Sequence, residues 1–539
     1  MQPNKQVSAT FEVTHLPYQD TGFFSKIVID YLQQNERLSS FYNYDVSIEG
    51  VKKAIAERKQ FAYDRSVLFS ALQEQYKGVE ITDAVQRNLD LLLEENTFTI
   101  TTAHQPNIFT GPLYFIYKIL HAIKIAGTLQ KQIPANNFVP VFFMGSEDAD
   151  LEELGHFTVD GKKYKWNTNQ TGAVGRMKVD KAFIGLIKEL AGQISVDPFG
   201  KDLVDVFERC YVLDKTIQQC TLELVSNLFG DYGLVVLIPD NADLKGVFKQ
   251  VIKKELLEQF SHKAVEETIS LLSQDYKVQA GGRDVNFFYL LDDKRERIEL
   301  VNSKYVIKNF QKEFSEDEIL KEVEEHPERF SPNVILRGVF QEMILPNIIF
   351  IGGGGEIAYW LELKQVFEQA DVPFPMLVLR NSFLLIKKEQ LDILDGLGFT
   401  IKDYFKTSEE LLNQLTKHTS SNQLSLSEEI GELNSFYHQL HETAFKIDAS
   451  LADHVNALQA KALKRITELE KKMLRSEKRK FEAEKRKIQK LKEAAFPKGS
   501  LQERVENISG FYAKDGSAFI DKLYQHSLSL EQQFTVVTI

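Results

Sequence analysis

The sequence predicts an α/β protein, a parallel-sheet core that carries an α-helical coiled-coil domain. Three observations lead there. Strand, helix and strand follow one another within about 50 residues between Phe98 and Met144, the βαβ order of a right-handed crossover. Further short apolar runs at 233–240, 348–352 and 375–379 end in polar residues, as buried parallel strands do at their ligand-facing edge. From Glu432 to Phe496 there is no proline or glycine, and apolar residues recur at threes and fours.

Composition agrees. A chain of 539 residues exceeds one core, so two to four structural units are expected. A net charge of −12 argues against general nucleic-acid binding. The two cysteines, Cys210 and Cys220, make no disulfide framework and no zinc set, and read as buried helical residues. The first residues contain no apolar h-region, and the most apolar stretch, 333–352, is interrupted by Arg337, Gln341, Glu342 and Pro346. Neither a secretory signal nor a membrane span is expected, and the expected compartment is the cytoplasm.

Residues 1–97 read as mostly helical: Phe23-Phe24, Ile27-Val28 and Tyr31-Leu32 fall at helical spacing, and Val85 to Leu93 is a second amphipathic run. Arg65, between such runs, is expected in a surface ion pair. Phe98 to Ala103 alternates and is rich in β-branched residues, a strand. Thr110-Gly-Pro-Leu113 should open a helix reaching about Gln130, with Pro112 in its first turn, where the missing N–H is no loss. His104, Gln105 and Asn107 lie between them. A polar loop beside the free N–H groups of a helix start suits phosphate or carboxylate; the plain alternative is a strand-to-helix turn with His104 bonded to backbone.

Val139 to Met144 reads as the next buried strand, followed by Gly145-Ser-Glu-Asp-Ala-Asp-Leu-Glu-Glu153. Glu152 and Glu153 suit a helix dipole. Glu147 and Asp148 stand earlier, in the turn, and suit an ammonium group or, less well, a Mg²⁺ ion, because the spacing of a calcium loop is missing. His156 to Trp166 is a hairpin around an Asp-Gly turn, and helical segments follow at 181–195 and 201–228. Asp240 ends the next strand. From 262 to 330 the pattern is an α+β insertion whose hairpin joins Val285–Leu291 to Ile298–Val301; Gly281-Gly-Arg283 before it reads as a turn glycine pair, with contact to an anion as the less favoured alternative.

Ile348-Ile-Phe-Ile-Gly-Gly-Gly-Gly-Glu-Ile-Ala-Tyr-Trp360 places four glycines between a strand and a helix, allowing close backbone approach and positive φ. Ile357 stands where a dinucleotide fingerprint needs glycine or alanine, and no G-K-[ST] follows for a P-loop. Glu356 at the helix start suits an amine or sugar hydroxyls better than a phosphate. The strand Pro375 to Leu379 ends in Arg380-Asn-Ser382. Both charge signs thus converge on the strand ends, which suits a zwitterionic substrate beside an anionic nucleotide.

In the coiled coil, Ile447, Leu451, Val455, Leu458, Ala462, Ile466, Leu469 and Met473 form the seam. An antiparallel hairpin is expected, its first helix from about 426 and its second opened by Ser450-x-x-Asp453 as a capping box. Residues 461–493 hold 14 Lys or Arg against 6 Glu, a solvated basic face without interleaved aromatics. Pro497 and Gly499 end it. Arg504 and Asn507, three apart, should share a helix face. The expected division is 1–155 (N-terminal helices and first part of the core), 156–180 (hairpin insertion), 181–261 (core continued), 262–333 (α+β insertion), 334–420 (second part of the core), 421–496 (coiled coil) and 497–539 (a segment returning to the core).

Four motifs in order, Thr102-Ala-His-Gln-Pro-Asn-Ile-Phe-Thr-Gly-Pro, Gly145-Ser-Glu-Asp-Ala-Asp, Gly352-Gly-Gly-Gly-Glu-Ile-Ala-Tyr-Trp and Leu501-Gln-Glu-Arg-Val-Glu-Asn, resemble the cysteine ligase family of bacillithiol biosynthesis over nearly the whole chain. The resemblance implies a Rossmann-like core with connecting-peptide insertions, and homodimers through the coiled coil. It implies amide-bond formation between cysteine and the glucosamine amine of glucosaminyl malate, with ATP or ADP and Mg²⁺ as a candidate companion, and no nucleic-acid or membrane partner. Catalysis then falls to His104 as base or acyl stabiliser, with Gln105 and Asn107 stabilising negative charge. Substrate binding falls to Glu147, Asp148, Gly354, Glu356 and Tyr359, and nucleotide binding to Arg380, Asn381, Ser382, Arg504 and Asn507; no protein metal site is expected. The core is also similar to class I aminoacyl-tRNA synthetases, although His104-Gln-Pro-Asn107 departs from H-x-G-H at its last two positions and no K-M-S-K-S loop is present. A nucleotide-binding coiled-coil scaffold without catalysis and a synthetase-like nucleotidyltransferase are the two other readings.

Overall fold

The computed structural model describes residues 13–279 and 281–539. The chain forms two compact units, one of residues 15–384 and 501–535, the other of 13–14, 385–500 and 536–539. In the first, strands β1 (Thr97–His104), β2 (Asn137–Met144), β3 (Val235–Leu237), β4 (Asn347–Gly352) and β5 (Met376–Leu379) make one parallel sheet in the order β5-β4-β1-β2-β3. Every residue of β1 is buried. Its threonines survive there because their hydroxyls are satisfied: Thr102 donates to the Ile351 carbonyl at 3.0 Å, and Thr99 to Asn347 Oδ1 at 3.2 Å.

The register aligns the strand ends. His104 of β1 stands opposite Met144 of β2, and Gly352 of β4 opposite Leu379 of β5. The segments that follow, 104–107, 145–148, 353–356 and 380–382, therefore leave the sheet along one edge.

Helix α1 (Tyr114–Gln132) is capped by Leu113, close to the expected start, but Pro112 lies outside its first turn. The reason is the turn before it. Phe109, Thr110 and Gly111 have φ of 49, 71 and 63°, and a chain turning through three left-handed residues cannot yet be helical. Left-handed backbone at a phenylalanine costs on the order of 1–3 kcal/mol. Burial offsets it: the Phe109 ring lies 4.7 Å from Phe207, 5.1 Å from Tyr211 and 5.2 Å from Phe183, centroid to centroid.

Other differences have local causes. The segment 201–228 is two helices, Gly200–Cys210 and Ile217–Phe229, because the chain turns at Asp214 with φ 67° and Thr216 starts the second with a capping box. Phe287–Leu291 pairs with Lys294–Arg297 across a two-residue turn, while Glu299–Val301 pairs instead with Lys304–Ile307. Val13–Leu16 is a strand within the stretch read as helical. Among the described residues Arg65 forms no surface ion pair; it donates to the carbonyls of Leu92 (2.8 Å), which caps a helix end, Glu95 (3.2 Å) and Thr97 (2.9 Å). Both cysteines are buried and free.

In the second unit, α4 (Ser427–Ile447) and α5 (Ala449–Lys478) form the antiparallel hairpin, tied by Gln459 to Asn434 (2.8 Å) and by Glu470 to the Leu426 N–H (3.0 Å). The cap of α5 is Asp448, which accepts from the Ser450 N–H, rather than Ser450. The basic arm is interrupted by a 3₁₀ turn at Arg479–Phe481 before Glu482–Ala495, whose Ile488, Leu491 and Ala495 are buried. No described helix is long and apolar enough to cross a membrane.

The C-terminal return locks the first unit. Gln502–Arg504 is a 3₁₀ turn and Asn507 bridges to Pro112, so Arg504 and Asn507 share no helix face. The Asn507 amide donates to the carbonyls of Phe109 (2.8 Å) and Gly111 (2.5 Å), and the Leu113 N–H donates to the Glu506 carbonyl (2.8 Å). Glu503, fully buried, accepts from Arg380 Nη2 at 2.7 Å and from the Phe383 N–H at 3.2 Å. Removing one partner strands the other charge, so Glu503→Ala should lower unfolding free energy by about 3–5 kcal/mol in urea titrations followed by circular dichroism.

Candidate active site

Along the aligned strand ends lies a cavity of about 870 Å³. His104, Gln105, Glu147, Asp148, Gly354, Glu356, Tyr359, Arg380 and Arg504 all line it; Asn107, Asn381, Ser382 and Asn507 do not. Asn107 is buried beneath the loop, packed against Gly111. The helix-start N–H at Leu113 is taken by Glu506, so that helix start is partly closed to a ligand by the returning tail.

His104 is the last residue of β1. Its Nδ1 lies 3.1 Å from the Gln105 carbonyl, which can only accept, so Nδ1 carries the proton; Nε2 then accepts from the Tyr114 hydroxyl at 3.3 Å. Burial, with the Lys118 ammonium nearby, drives its pKa down to about 3, against the pull of Glu356. The imidazole is neutral at physiological pH.

Lys118 rises from α1 through an otherwise apolar surface, donates to the Ala103 carbonyl at 2.9 Å and ion-pairs with Glu356. Glu356 begins α3 (Gly354–Trp360), where it also accepts from the Gly353 N–H at 2.7 Å. Burial opposes its charge, but Lys118 and that N–H hold its pKa below the usual carboxylate range. The glycines before it work by space alone, since none from 352 to 355 has positive φ. A Cβ on Gly352 would stand 2.9 Å from the Glu356 Cβ.

Arg337 opens α2 (Arg337–Ile344) and donates to the Tyr359 hydroxyl at 3.0 Å. Arg295, on the insertion hairpin, donates to Ser331 Oγ (2.9 Å) and the Pro332 carbonyl (3.0 Å). Arg283 and Arg297 line the same side. Asp148 accepts from Gln105 Nε2 at 2.9 Å; burial works against its charge, and Gln105, Arg295 and Arg337 keep its pKa low. Glu147, by contrast, is already neutralised by Lys245 and bonded by Ser331 Oγ at 2.8 Å, which leaves little of it for a substrate amine. No group of three or more His, Cys, Asp or Glu among the described residues is arranged to hold a metal ion.

Sequence reasoning missed Tyr114, Lys118, Arg295 and Arg337 as site residues. A lone lysine in the apolar run of α1 and an arginine interrupting the apolar stretch at 333–352 were signals; the hairpin arginines had none, because their register was misread.

Family profiles match both parts of the chain, "Bacillithiol biosynthesis BshC, N-terminal Rossmann-like domain" over residues 11–381 and "Bacillithiol biosynthesis BshC, C-terminal coiled-coil domain" over 383–539. The chain belongs to the BshC family of bacillithiol biosynthesis. Relatives named "Putative cysteine ligase BshC" include those of Flavobacterium johnsoniae, 41% identical over 97% of this chain and 99% of the relative, and Christiangramia forsetii, 38% over 97% and 98%. One from Bacillus cytotoxicus is 26% identical over 93% and 96%. A solved structure titled as an arginyl-tRNA synthetase from Campylobacter jejuni covers 87% of this chain and 98% of its own, at 11% identity and a TM-score of 0.21, too low to carry an argument. The parallel sheet is thus the BshC Rossmann-like core, and the hairpin α4–α5 lies in the BshC coiled-coil domain.

Two buried histidines of this BshC-family core contribute to its acid sensitivity, and buried Glu342, raised to about 7, offsets part of their effect. Burial lowers His104 to about 3 and His121 to about 4 from 6.5. The unfolded chain therefore takes up protons first, and stability present above pH 6.5 falls as pH drops through the folded values. Urea unfolding at about pH 7 and about pH 5 should show this loss, and a smaller one in His104→Gln.

Proposed function

We propose that this cavity ligates cysteine to the glucosamine amine of glucosaminyl malate, forming an amide. The observation that carries the reading is one enclosure holding a neutral imidazole–phenol pair, a buried Lys118–Glu356 ion pair and a set of arginines, in a chain whose relatives bear a cysteine ligase name. A free carboxylate is a poor acyl donor and an ammonium is no nucleophile, so the cysteine carboxylate is activated and the sugar amine attacks as the neutral base. Attack forms the C–N bond, expels the activating group and releases one amine proton.

The Tyr114 hydroxyl oxygen takes that proton as its own passes along the hydrogen bond to His104 Nε2; an anionic substrate beside the ring raises the low proton affinity of the imidazole. Lys118 and Arg337, rather than the buried Asn107, stabilise negative charge developing on the acyl oxygen. Asp148 orients the ammonium group of cysteine, and Glu356, already paired with Lys118, accepts from the sugar hydroxyls. Arg283, Arg295 and Arg297 take the malyl carboxylates, which a guanidinium fork fits well.

ATP or ADP is proposed as the nucleotide. Of the five residues assigned to it, Arg380 and Arg504 line the cavity, and Arg380 Nε is buried without a partner, as a phosphate-facing donor would be. Asn381, Ser382 and Asn507 are engaged inside the protein, with the Leu528 carbonyl, Arg380 and the Phe109 loop respectively. The nucleotide supplies the activation of the carboxylate. Mg²⁺ finds few open ligands, because Lys245 holds Glu147 and Gln105 holds Asp148.

The homodimer is proposed through α4–α5, which exposes Phe436, Phe445, Ile447, Leu451, Leu458 and Leu469. Doubly charged variants such as Phe445→Lys/Leu451→Lys should halve the mass seen by light scattering.

Purified protein with cysteine, glucosaminyl malate and ATP should make the thiol, read by mass spectrometry. Arg295→Ala should raise KM for glucosaminyl malate roughly 10- to 100-fold, the range for losing one charge-assisted contact. Lys118→Met and His104→Ala should instead lower kcat. Full turnover in all three variants would refute the reading, and loss of function only on disrupting the hairpin would favour the scaffold.

A further inference from the structure

We propose that a second cavity, at the opposite edge of the sheet, is a binding site for a small oxyanion, a phosphate or carboxylate group held by Arg58 and Tyr63. This cavity, of about 1120 Å³, is lined by Arg58, Phe61, Tyr63, Arg65 and Phe98 among others. Phe98 is the second residue of β1 and His104 its last, so the two sites lie roughly 20 Å apart along the strand.

Arg58 ends the helix Ile48–Arg58 and is 2% exposed. Its Nη2 donates to the carbonyls of Glu342 and Leu345, but Nε and Nη1 are buried with no acceptor. The Tyr63 hydroxyl is buried and unpartnered too. Aromatic rings face these cations, Phe61 and Tyr63 at 4.9 and 5.4 Å from Arg58, and Tyr63 at 4.8 Å from Arg65. A ring face softens the charge but does not replace a lone pair for each N–H.

Among the described residues neither arginine has a carboxylate ion-pair partner. The acid that acts on Arg58 is Glu342, while Asp64 and Glu95 also line the cavity and Glu95 lies near Arg65. Glu342 Oε1 accepts from Gln341 and Asn347, its Oε2 is unpartnered, and burial pushes its pKa up to about 7, so it is an incomplete counter-ion. A buried guanidinium without a full counter-ion is costly, and an oxyanion supplies both the charge and the missing acceptors. The Arg65 guanidinium, held on three carbonyls, adds positive potential.

Isothermal titration of the full chain with inorganic phosphate and, separately, acetate tests this. Apart from any binding by the arginines of the active cavity, a site with a Kd of about 1 mM or tighter is expected for at least one anion and persists unchanged in the active-cavity variant Arg337→Ala. Arg58→Lys should weaken it about tenfold or more, and Tyr63→Phe severalfold. Phosphate alone would mark a phosphoryl ligand, acetate alone a carboxylate. If Arg58→Lys fails to fold by circular dichroism, Tyr63→Phe decides. No heat with either anion, equal affinity in the pocket variants, or loss only in Arg337→Ala would overturn the proposal.

Discussion

The buried pair of Arg380 and Glu503 holds the core together at the place where chemistry is proposed. Arg380 leaves the end of β5; its N–H donates to the Gly352 carbonyl and its own carbonyl accepts from the Tyr18 hydroxyl. Its guanidinium reaches Glu503, Ser382 and the Asn381 carbonyl. Glu503 reaches in turn to the Phe383 N–H. One interaction thus ties the N-terminal segment, two neighbouring strands and the returning tail. Burial works against the charge on Arg380, and Glu503 outweighs it. With those contacts made, only Nε is left without a partner, buried 3.6 Å from where a Cβ on Gly353 would stand.

The same logic of paired charge shapes the cavity. Lys118 and Glu356 cancel each other inside it, and Lys245 cancels Glu147 behind it. What remains is a neutral histidine, the carboxylates of Asp148, Glu153, Asp284 and Glu299, and six arginines, so the lining offers both signs to a partner that carries an amine and carboxylates. Preorganisation is what the ion pairs contribute, because charges already fixed need little rearrangement when charge develops on a substrate.

Much of this was legible in the sequence. The strands at 98–103, 139–144, 348–352 and 375–379 are continuous apolar or β-branched runs, and the residues after them are polar because they leave a buried edge. The loop at 104–113 was half legible: its strand and its His104 were plain, but three left-handed residues, stabilised by aromatic rings from 157–211, have no local signal. Asn507 and Glu503 stand in a visible motif, but the contacts that hold them do not show in it, because their partners lie more than a hundred residues away. Arg65 failed similarly; its partners are backbone carbonyls, which no side-chain pattern reveals. Arg295 depended on a hairpin register set by a two-residue turn.

The most direct measurement is a crystal structure with glucosaminyl malate bound. The account predicts the malyl carboxylates against Arg295 and its neighbours Arg283 and Arg297, with the sugar amine toward His104 and Tyr114. Clear density for the ligand elsewhere on the protein, with the cavity holding only water, would contradict it.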